Sequence, residues 1–208
     1  MERLQDILLI LLGWLLGALT PGITDAIRRP KYRSELLMAL RAELYELRYK
    51  LAMVAHNMRG RTGTLTEASL ELTRTILLGY KGSALDAEFQ ETLSKLFDLG
   101  LPQYIALSNS RKGKGSPYPV PYELPFLEAH LQDLGVFDPR TQERVLRMRA
   151  EFHLFNEQVK QVQVFHDRSF TLTGQNYQLN ADNYEGGLEK LPYRAEALIR
   201  EMNAVIDS

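Results

Sequence analysis

Apolar residues recur at alternating spacings of three and four positions along three long stretches of the chain. The first stretch carries the series Leu37, Leu40, Leu44, Leu47, Leu51, Val54 and Met58. The second carries Val145, Met148, Phe152, Phe155, Val159 and Val162, and the third carries Leu191, Ala195, Leu198, Met202 and Val205. This spacing places each series on one helix face. It predicts helices near 34–58, 139–166 and 182–206, which we expect to form an antiparallel bundle.

Shorter helices are predicted from their start and stop residues. Thr64, with Glu67 three positions later, fits a capping box ahead of the next helix. Asp138-Pro139 is a helix start, and Pro192 is expected to break the last helix. The remaining pattern predicts short helices at 83–100, 101–107 and 125–134 and a polar loop at 171–180. No strand pattern of useful length is present, so the predicted fold class is all-α.

The N-terminal segment is apolar on every side and lacks the polar face of a surface helix. From Ile7 to Thr24 it has 18 residues without a charge, which make about 27 Å of helix at about 1.5 Å per residue. A bilayer core is about 30 Å thick, so the pattern predicts one transmembrane helix from about Leu4 to Thr24. The predicted domains are an anchor over 1–27 and a helical bundle over 28–208. A cleaved signal peptide and a buried helix of a soluble core are the alternatives.

Basic residues follow the predicted span directly, and they are Arg28, Arg29, Lys31 and Arg33. Only Arg3 precedes the span. Because cytoplasmic loops carry the excess of Lys and Arg, the bundle is expected to be cytoplasmic. The same cluster would lie against anionic lipid headgroups. We therefore expect a single-span protein of a bacterial inner membrane with its helical domain in the cytoplasm.

Two glycines inside the predicted span, Gly13 and Gly17, are four positions apart. They lie on one helix face, where they let two backbones approach closely. Trp14 lies mid-span rather than at an interface, where tryptophan usually anchors, so we expect it to pack at the same contact. Pro21-Gly22 is expected to break or kink the helix near the cytoplasmic interface. The expected partners are therefore the lipid bilayer and either a second copy or another protein.

A long loop interrupts the helical pattern in the middle of the chain. Its first half is polar and basic, and its second half places two tyrosines among prolines; the residues of interest are Arg111, Lys112, Lys114, Tyr118 and Tyr122. This composition favours extended, polyproline-like structure. Loops of this length often carry function. We therefore expect a partner-binding or regulatory element here, and the alternative is a plain exposed linker.

Composition and spacing argue against catalysis and against nucleic-acid binding. The chain has no cysteine and a net charge of −1, so it offers neither thiol chemistry nor a global positive field. Its histidines are not spaced for shared metal ligation, and His56 is expected to be a satisfied histidine of the core. We therefore expect no catalytic residue, no cofactor, no metal, no nucleic acid and no small-molecule substrate.

Two stretches near the N-terminus have a familiar pattern, Leu-Thr-Pro-Gly-Ile-Thr-Asp-Ala-Ile-Arg-Arg at 19–29 and Glu-Leu-Leu-Met-Ala-Leu-Arg-Ala-Glu-Leu-Tyr-Glu-Leu-Arg-Tyr-Lys-Leu-Ala at 35–52. They resemble a group of small uncharacterised bacterial proteins with one membrane span and a cytoplasmic helical domain. Some proteins of that build act as membrane effectors in phage defence. The resemblance includes no diagnostic site residue. It implies a tethered module whose output is at the membrane.

The expected function is therefore non-enzymatic. The chain is expected to be a membrane-anchored helical protein that self-associates or binds a protein partner at the membrane. The resemblance implies, as one form of this, a membrane-perturbing effector of antiviral defence. Two other classes stay open, namely a sensory or ligand-binding helical bundle and a membrane-tethered adaptor or inhibitor of a soluble enzyme.

Overall fold

The structure of the chain is a computed structural model. It describes the backbone of residues 2–80, 91, 94, 98, 100–110 and 118–207, and the side chains of the same residues except 2–13 and 15–28. All regular secondary structure in this part of the chain is helical. The all-α fold class is therefore confirmed, whereas most of the helix predicted at 83–100 lies outside the described residues.

The helices have well-defined bounds. They are α1 (Glu2–Thr62), α2 (Glu67–Gly79), α3 (Leu101–Asn109), α4 (Pro125–Ala129), α5 (Pro139–Arg168) and α6 (Gly174–Ile206). A 3₁₀ helix (Leu131–Val136) lies between α4 and α5. The start of α5 is the predicted one, because the Asp138 side chain accepts the N–H of Thr141 and Pro139 is the first helical residue.

Helices α1, α5 and α6 form the bundle. The partners of α1 on α6 run backwards along the chain, since Arg48 bonds to Asn203 and Arg59 bonds to Glu196. Helix α5 also runs antiparallel to α6, because only residues 169–173 separate them. The predicted antiparallel arrangement is therefore present among these three helices.

The three predicted apolar series supply the core of the bundle. Their fully buried members include Leu44, Leu51, Val145, Phe155, Leu191 and Leu198. Full burial of one such side chain contributes about 1.5–3 kcal/mol. One position differs from the prediction, because Leu36 is buried while Leu37 is only partly buried. The core therefore begins at Leu36 on α1, and residues 29–35 before it are exposed.

Gly187 of α6 lies directly against the Val162 side chain of α5. A Cβ atom at position 187 would lie 2.7 Å from Val162 Cγ2, whereas a Cβ at the neighbouring Gly186 would have nothing within 4 Å. The side chains at a helix contact set the distance between the helix axes. The absence of a side chain at 187 therefore leaves room for Val162 at the contact between α5 and α6.

Two predicted helix interruptions do not end their helices. Helix α1 continues through Pro21-Gly22 and Pro30, so one 61-residue helix replaces the two that were predicted. A proline removes one intrahelical hydrogen bond, but the bonds on either side can carry the helix on. Helix α6 contains Pro192 and begins at Gly174, inside the predicted polar loop. Pro192 is buried, and tertiary packing of this kind overrides local propensity.

The N-terminal cap of α2 also differs from the prediction. Thr66, not Thr64, is the cap: its hydroxyl accepts the N–H of Ser69 at 3.2 Å, and the Ser69 hydroxyl accepts the N–H of Thr66 at 3.0 Å. The predicted partner Glu67 is the first helical residue. Thr64 instead shares a hydrogen bond of 2.7 Å with the hydroxyl of Thr62. Since Thr64 is engaged at the end of α1, the next threonine takes the cap position.

Candidate interaction site

The second half of the proline-rich loop lies as an extended segment along α5. We call this segment the proline strap (residues 118–124). It has no regular secondary structure, and it ends where α4 begins. Within the described residues, no backbone–backbone hydrogen bond holds positions 118–123. Side chains of the bundle must therefore pair with the strap's polar backbone groups.

Asn156 of α5 holds the middle of the proline strap through the backbone of Tyr122. Its Oδ1 accepts the Tyr122 N–H at 3.0 Å, and its Nδ2 donates to the Tyr122 carbonyl at 2.8 Å. Asn156 is only 8% exposed. A buried side-chain amide must find hydrogen-bond partners, and here a single residue of the strap supplies both. The arrangement fixes the strap at one position along α5.

A second amide holds the start of the strap. Gln163 Nε2 donates to the carbonyl of Pro119 at 2.9 Å. The Tyr118 hydroxyl donates to Asp167 Oδ1 at 3.4 Å, which is a long hydrogen bond. Asn156, Gln163 and Asp167 follow each other by seven and four positions. They therefore lie on one face of α5, and the strap follows that face.

Three side chains of the strap turn towards the bundle. Pro119 and Leu124 are buried, and Tyr122 is half-buried. The Tyr122 ring stacks on Phe155 with a centroid distance of 6.4 Å and an interplanar angle of 10°. Burial raises the pKa of the Tyr122 phenol above its ordinary value. The phenol is therefore neutral over the physiological range.

The outer side of the strap is open. Val120 is 50% and Tyr118 39% exposed. The Tyr118 ring also meets His166 edge-on, with a centroid distance of 4.7 Å. The Tyr118 side chain is therefore held by one long hydrogen bond and one ring contact, whereas the neighbouring Pro119 is buried and bonded to Gln163.

The strap's junction with α4 is fixed by a carboxylate of α1. The two Glu43 oxygens accept the N–H groups of Phe126 and Leu127 at 2.7 and 3.0 Å. These N–H groups belong to the first turn of α4 and have no intrahelical partner. Glu43 therefore ties the C-terminal end of the strap to α1 through the first turn of α4.

Two open cavities flank the strap, with volumes of about 470 Å³ towards α1 and about 330 Å³ towards α5. Both share Tyr122, Glu123 and Pro125 in their linings. On the α5 side, Glu128 accepts two hydrogen bonds from Arg149, at 2.8 Å each. The Arg149 guanidinium lowers the pKa of the Glu128 carboxyl.

The basic residues of the sequence prediction have different surroundings. Arg29 is exposed, Lys31 pairs with Glu35 at 3.8 Å, and Arg33 pairs with Asp138 at 2.8 Å. The Arg28 side chain lies outside the described residues. So do Arg111, Lys112 and Lys114 of the predicted partner loop. Of the five loop residues, the structure therefore places Tyr118 and Tyr122, both on the strap.

The predicted membrane span mostly lies outside the described side chains. This includes positions Gly13 and Gly17, whereas Trp14 is described and is 73% exposed. Among the helices as far as their side chains are described, none has a stretch long and apolar enough to cross a bilayer. The span over residues 4–24 stays a prediction.

His56 is the most deeply buried histidine in the described part of the chain. It is 7% exposed, and its Nε2 shares a hydrogen bond of 2.8 Å with the Tyr104 hydroxyl. Its Nδ1 has no hydrogen-bond partner among the described residues. Burial lowers the pKa of His56 to about 4, so the ring is neutral at physiological pH. The prediction of a satisfied core histidine is therefore correct for one ring nitrogen only.

No group of three or more potential metal-ligating His, Cys, Asp or Glu side chains occurs among the described residues.

The best-defined buried charge pair joins Arg59 to Glu196, with N–O distances of 2.5 and 2.9 Å. Arg59 also donates to the carbonyl of Thr64 and lies 4.4 Å from the centroid of the Tyr193 ring. Because the guanidinium of Arg59 and the carboxylate of Glu196 are both hydrogen-bonded, the pair holds α1 against α6.

Sequence reasoning missed Asn156, Gln163 and Glu43 as residues of the site. Asn156 offered a usable signal, because it is a polar residue next to the apolar series of α5, between Phe155 and Val159. Gln163 and Glu43 offered none, since polar residues outside the apolar series of a helix are common.

Comparisons with known proteins do not place the chain in a family. No protein-family model matches it, and neither curated proteins nor solved structures give a significant match. Any function must therefore be proposed from the residues of the chain itself.

Proposed function

We propose that the chain is a non-enzymatic, membrane-tethered protein whose helical bundle self-associates or binds a protein partner at the membrane. The observation that carries the proposal is the continuity of α1. Both the uncharged run from Ile7 to Thr24 and the first core residue, Leu36, belong to this one 61-residue helix. At about 1.5 Å per residue it is about 90 Å long. Such a helix would join the bilayer to the bundle without a flexible linker.

The exposed neck at residues 29–35 supports this proposal. It lies between the uncharged run and the core, and the core does not use it. Arg33 of the neck pairs with Asp138 at the start of α5. An exposed pair of this kind adds little to stability, but it places the start of α5 beside the neck. The basic character of the neck suits the cytoplasmic face of a membrane.

Membrane attachment is tested by extraction. The full chain with Leu12→Arg and Leu16→Arg should move from the membrane pellet to the supernatant after an alkaline wash, whereas the wild type stays in the pellet. A charged residue at the centre of a span costs about 2.5–3.5 kcal/mol. Met38→Arg is the matched control, because Met38 is apolar but 62% exposed on the bundle. Release of the wild-type chain by the wash would contradict the proposal.

Self-association through the span has a separate test. Gly13→Leu and Gly17→Leu would keep two helices apart, and they should reduce energy transfer between differently labelled copies in the same membrane. Ala18→Leu is the control, because it adds bulk on a different helix face. Equal energy transfer in all variants would remove the role of the two glycines and leave binding of another protein as the remaining form of the proposal.

A further inference from the structure

Apart from the Tyr118–Asp167 bond, the described hydrogen bonds between α5 and the proline strap recognise the strap's backbone. Asn156 binds the N–H and the carbonyl of Tyr122, and Gln163 binds the carbonyl of Pro119. None of these bonds depends on a side chain of the strap. A surface that binds an extended backbone in this way accepts any segment that has the same shape and fits the adjoining pockets.

The pockets restrict which segments fit. The strap reads Tyr-Pro-Val-Pro-Tyr-Glu-Leu, with Pro119 and Leu124 buried and the Tyr122 ring against Phe155. Prolines favour the extended polyproline conformation and lose little entropy on binding. They also lack the N–H groups that would otherwise need partners. The fitting ligand is therefore an extended segment in which a tyrosine directly follows a proline, with a second proline three positions before the tyrosine and an apolar residue two positions after it.

The two ends of the strap are held differently. Among the described residues, its N-terminal end is held by side chains of α5, through the Gln163 bond to Pro119 and the long Tyr118–Asp167 bond, whereas Glu43 fixes its C-terminal end at the first turn of α4. A segment held through a few side-chain hydrogen bonds, each with a net contribution of about 0.5–1.5 kcal/mol, exchanges more readily than a regular element of the core.

We propose that the face of α5 with Asn156 and Gln163 is a binding groove for an extended tyrosine–proline segment of a partner protein. The proline strap occupies this groove as an intramolecular competitor. This rests on the proposed function and names the chemistry of the partner. A tethered competitor acts at an effective concentration in the millimolar range. A partner segment therefore binds weakly until the strap is displaced.

A labelled peptide with the sequence Tyr-Pro-Val-Pro-Tyr-Glu-Leu-Pro tests the groove. It is titrated against the full chain in mild detergent, in the wild type and in a variant with Tyr118→Gly, Pro119→Gly and Tyr122→Gly. Relief of intramolecular competition should lower the Kd about tenfold or more in the variant. Adding Asn156→Ala should abolish saturable binding, whereas the exposed neighbour Glu157→Ala should leave it unchanged.

A second measurement does not need the triple variant to fold. Since the chain has no cysteine, Pro119→Cys introduces a single thiol at a buried position of the strap. Peptide at millimolar concentration should displace the strap and increase the rate of thiol labelling about fivefold or more. A scrambled peptide of the same composition should have no effect.

The proposal is overturned if the peptide neither binds saturably nor increases thiol labelling, or if Asn156→Ala leaves binding intact. Membrane retention of the same variants is measured by alkaline extraction. If the peptide fails to bind but the chain stays in the membrane pellet, only the proposed groove is refuted. If the wild-type chain is released from the membrane but the peptide still binds, only the proposed membrane tether is refuted.

Discussion

Alanine substitutions at the adjacent glycines Gly186 and Gly187 should change stability in opposite directions. Alanine favours a helix over glycine by about 1 kcal/mol, and this gain applies at both positions because both lie within α6. At 186 the new Cβ meets nothing within 4 Å, whereas at 187 it would lie 2.7 Å from Val162 Cγ2. Only the second substitution therefore has to push α5 and α6 apart.

The magnitudes follow from these two contributions. Gly186→Ala should raise the free energy of unfolding by about 0.5–1 kcal/mol. Overpacking of a buried contact costs about 1–3 kcal/mol, so Gly187→Ala should lower the free energy of unfolding by up to about 2 kcal/mol after the helix gain. The difference between the two variants isolates the crowding, because the propensity gain is common to both.

Urea unfolding of the full chain in mild detergent, followed by far-UV circular dichroism, measures the difference. Val162→Ala provides the double-mutant test, since it removes the Cγ2 atom that the new Cβ meets. In that background the penalty of Gly187→Ala should largely disappear. The reasoning is refuted if Gly187→Ala is as stable as Gly186→Ala, or if Val162→Ala leaves the difference unchanged.

Three further predictions concern buried polar groups and the cap of α2. Arg59→Met should cost about 3–5 kcal/mol by leaving Glu196 buried without its partner, and the double change to Met at both positions should cost less in urea unfolding. Burial lowers the pKa of His56 from 6.5 to about 4. The neutral ring therefore contributes about 3 kcal/mol to the free energy of unfolding above pH 6.5, and this contribution is lost as the pH falls towards 4. His56→Gln should flatten the stability–pH curve in that window, and an unchanged curve would contradict the assignment. Thr66→Ala should cost about 1 kcal/mol and Glu67→Ala clearly less, whereas the reverse order would favour the cap predicted from the sequence.

The long helices could be predicted because the spacing of apolar residues is a direct consequence of burial. The series through Leu44, Phe155 and Leu198 repeats with the helix period because each member must face the same core. The limits of the helices could not be predicted equally well. Pro192 would end an isolated helix, but in α6 it is buried against the bundle, and that packing is invisible in the local sequence.

The interaction site was predictable only in part, for a similar reason. The composition of the loop indicated an extended segment with Tyr118 and Tyr122, and the structure places both on the proline strap. The docking surface of the strap depends on Asn156 and Gln163, which lie 34 and 44 residues away from their strap partners. Pairings over such distances have no local pattern that would reveal them.

Asn156 nevertheless constrains how the strap can move. A side-chain amide has two donors and two acceptor lone pairs, and with the strap in place, where Asn156 is only 8% exposed, the Tyr122 backbone supplies one partner of each kind. Opening of the strap without a replacement would exchange these two hydrogen bonds for bonds to water, at a net cost of about 0.5–1.5 kcal/mol each. A partner segment that supplies the same N–H and carbonyl avoids this cost. Release of the strap is therefore expected to be coupled to arrival of the partner segment, as an exchange rather than a free opening.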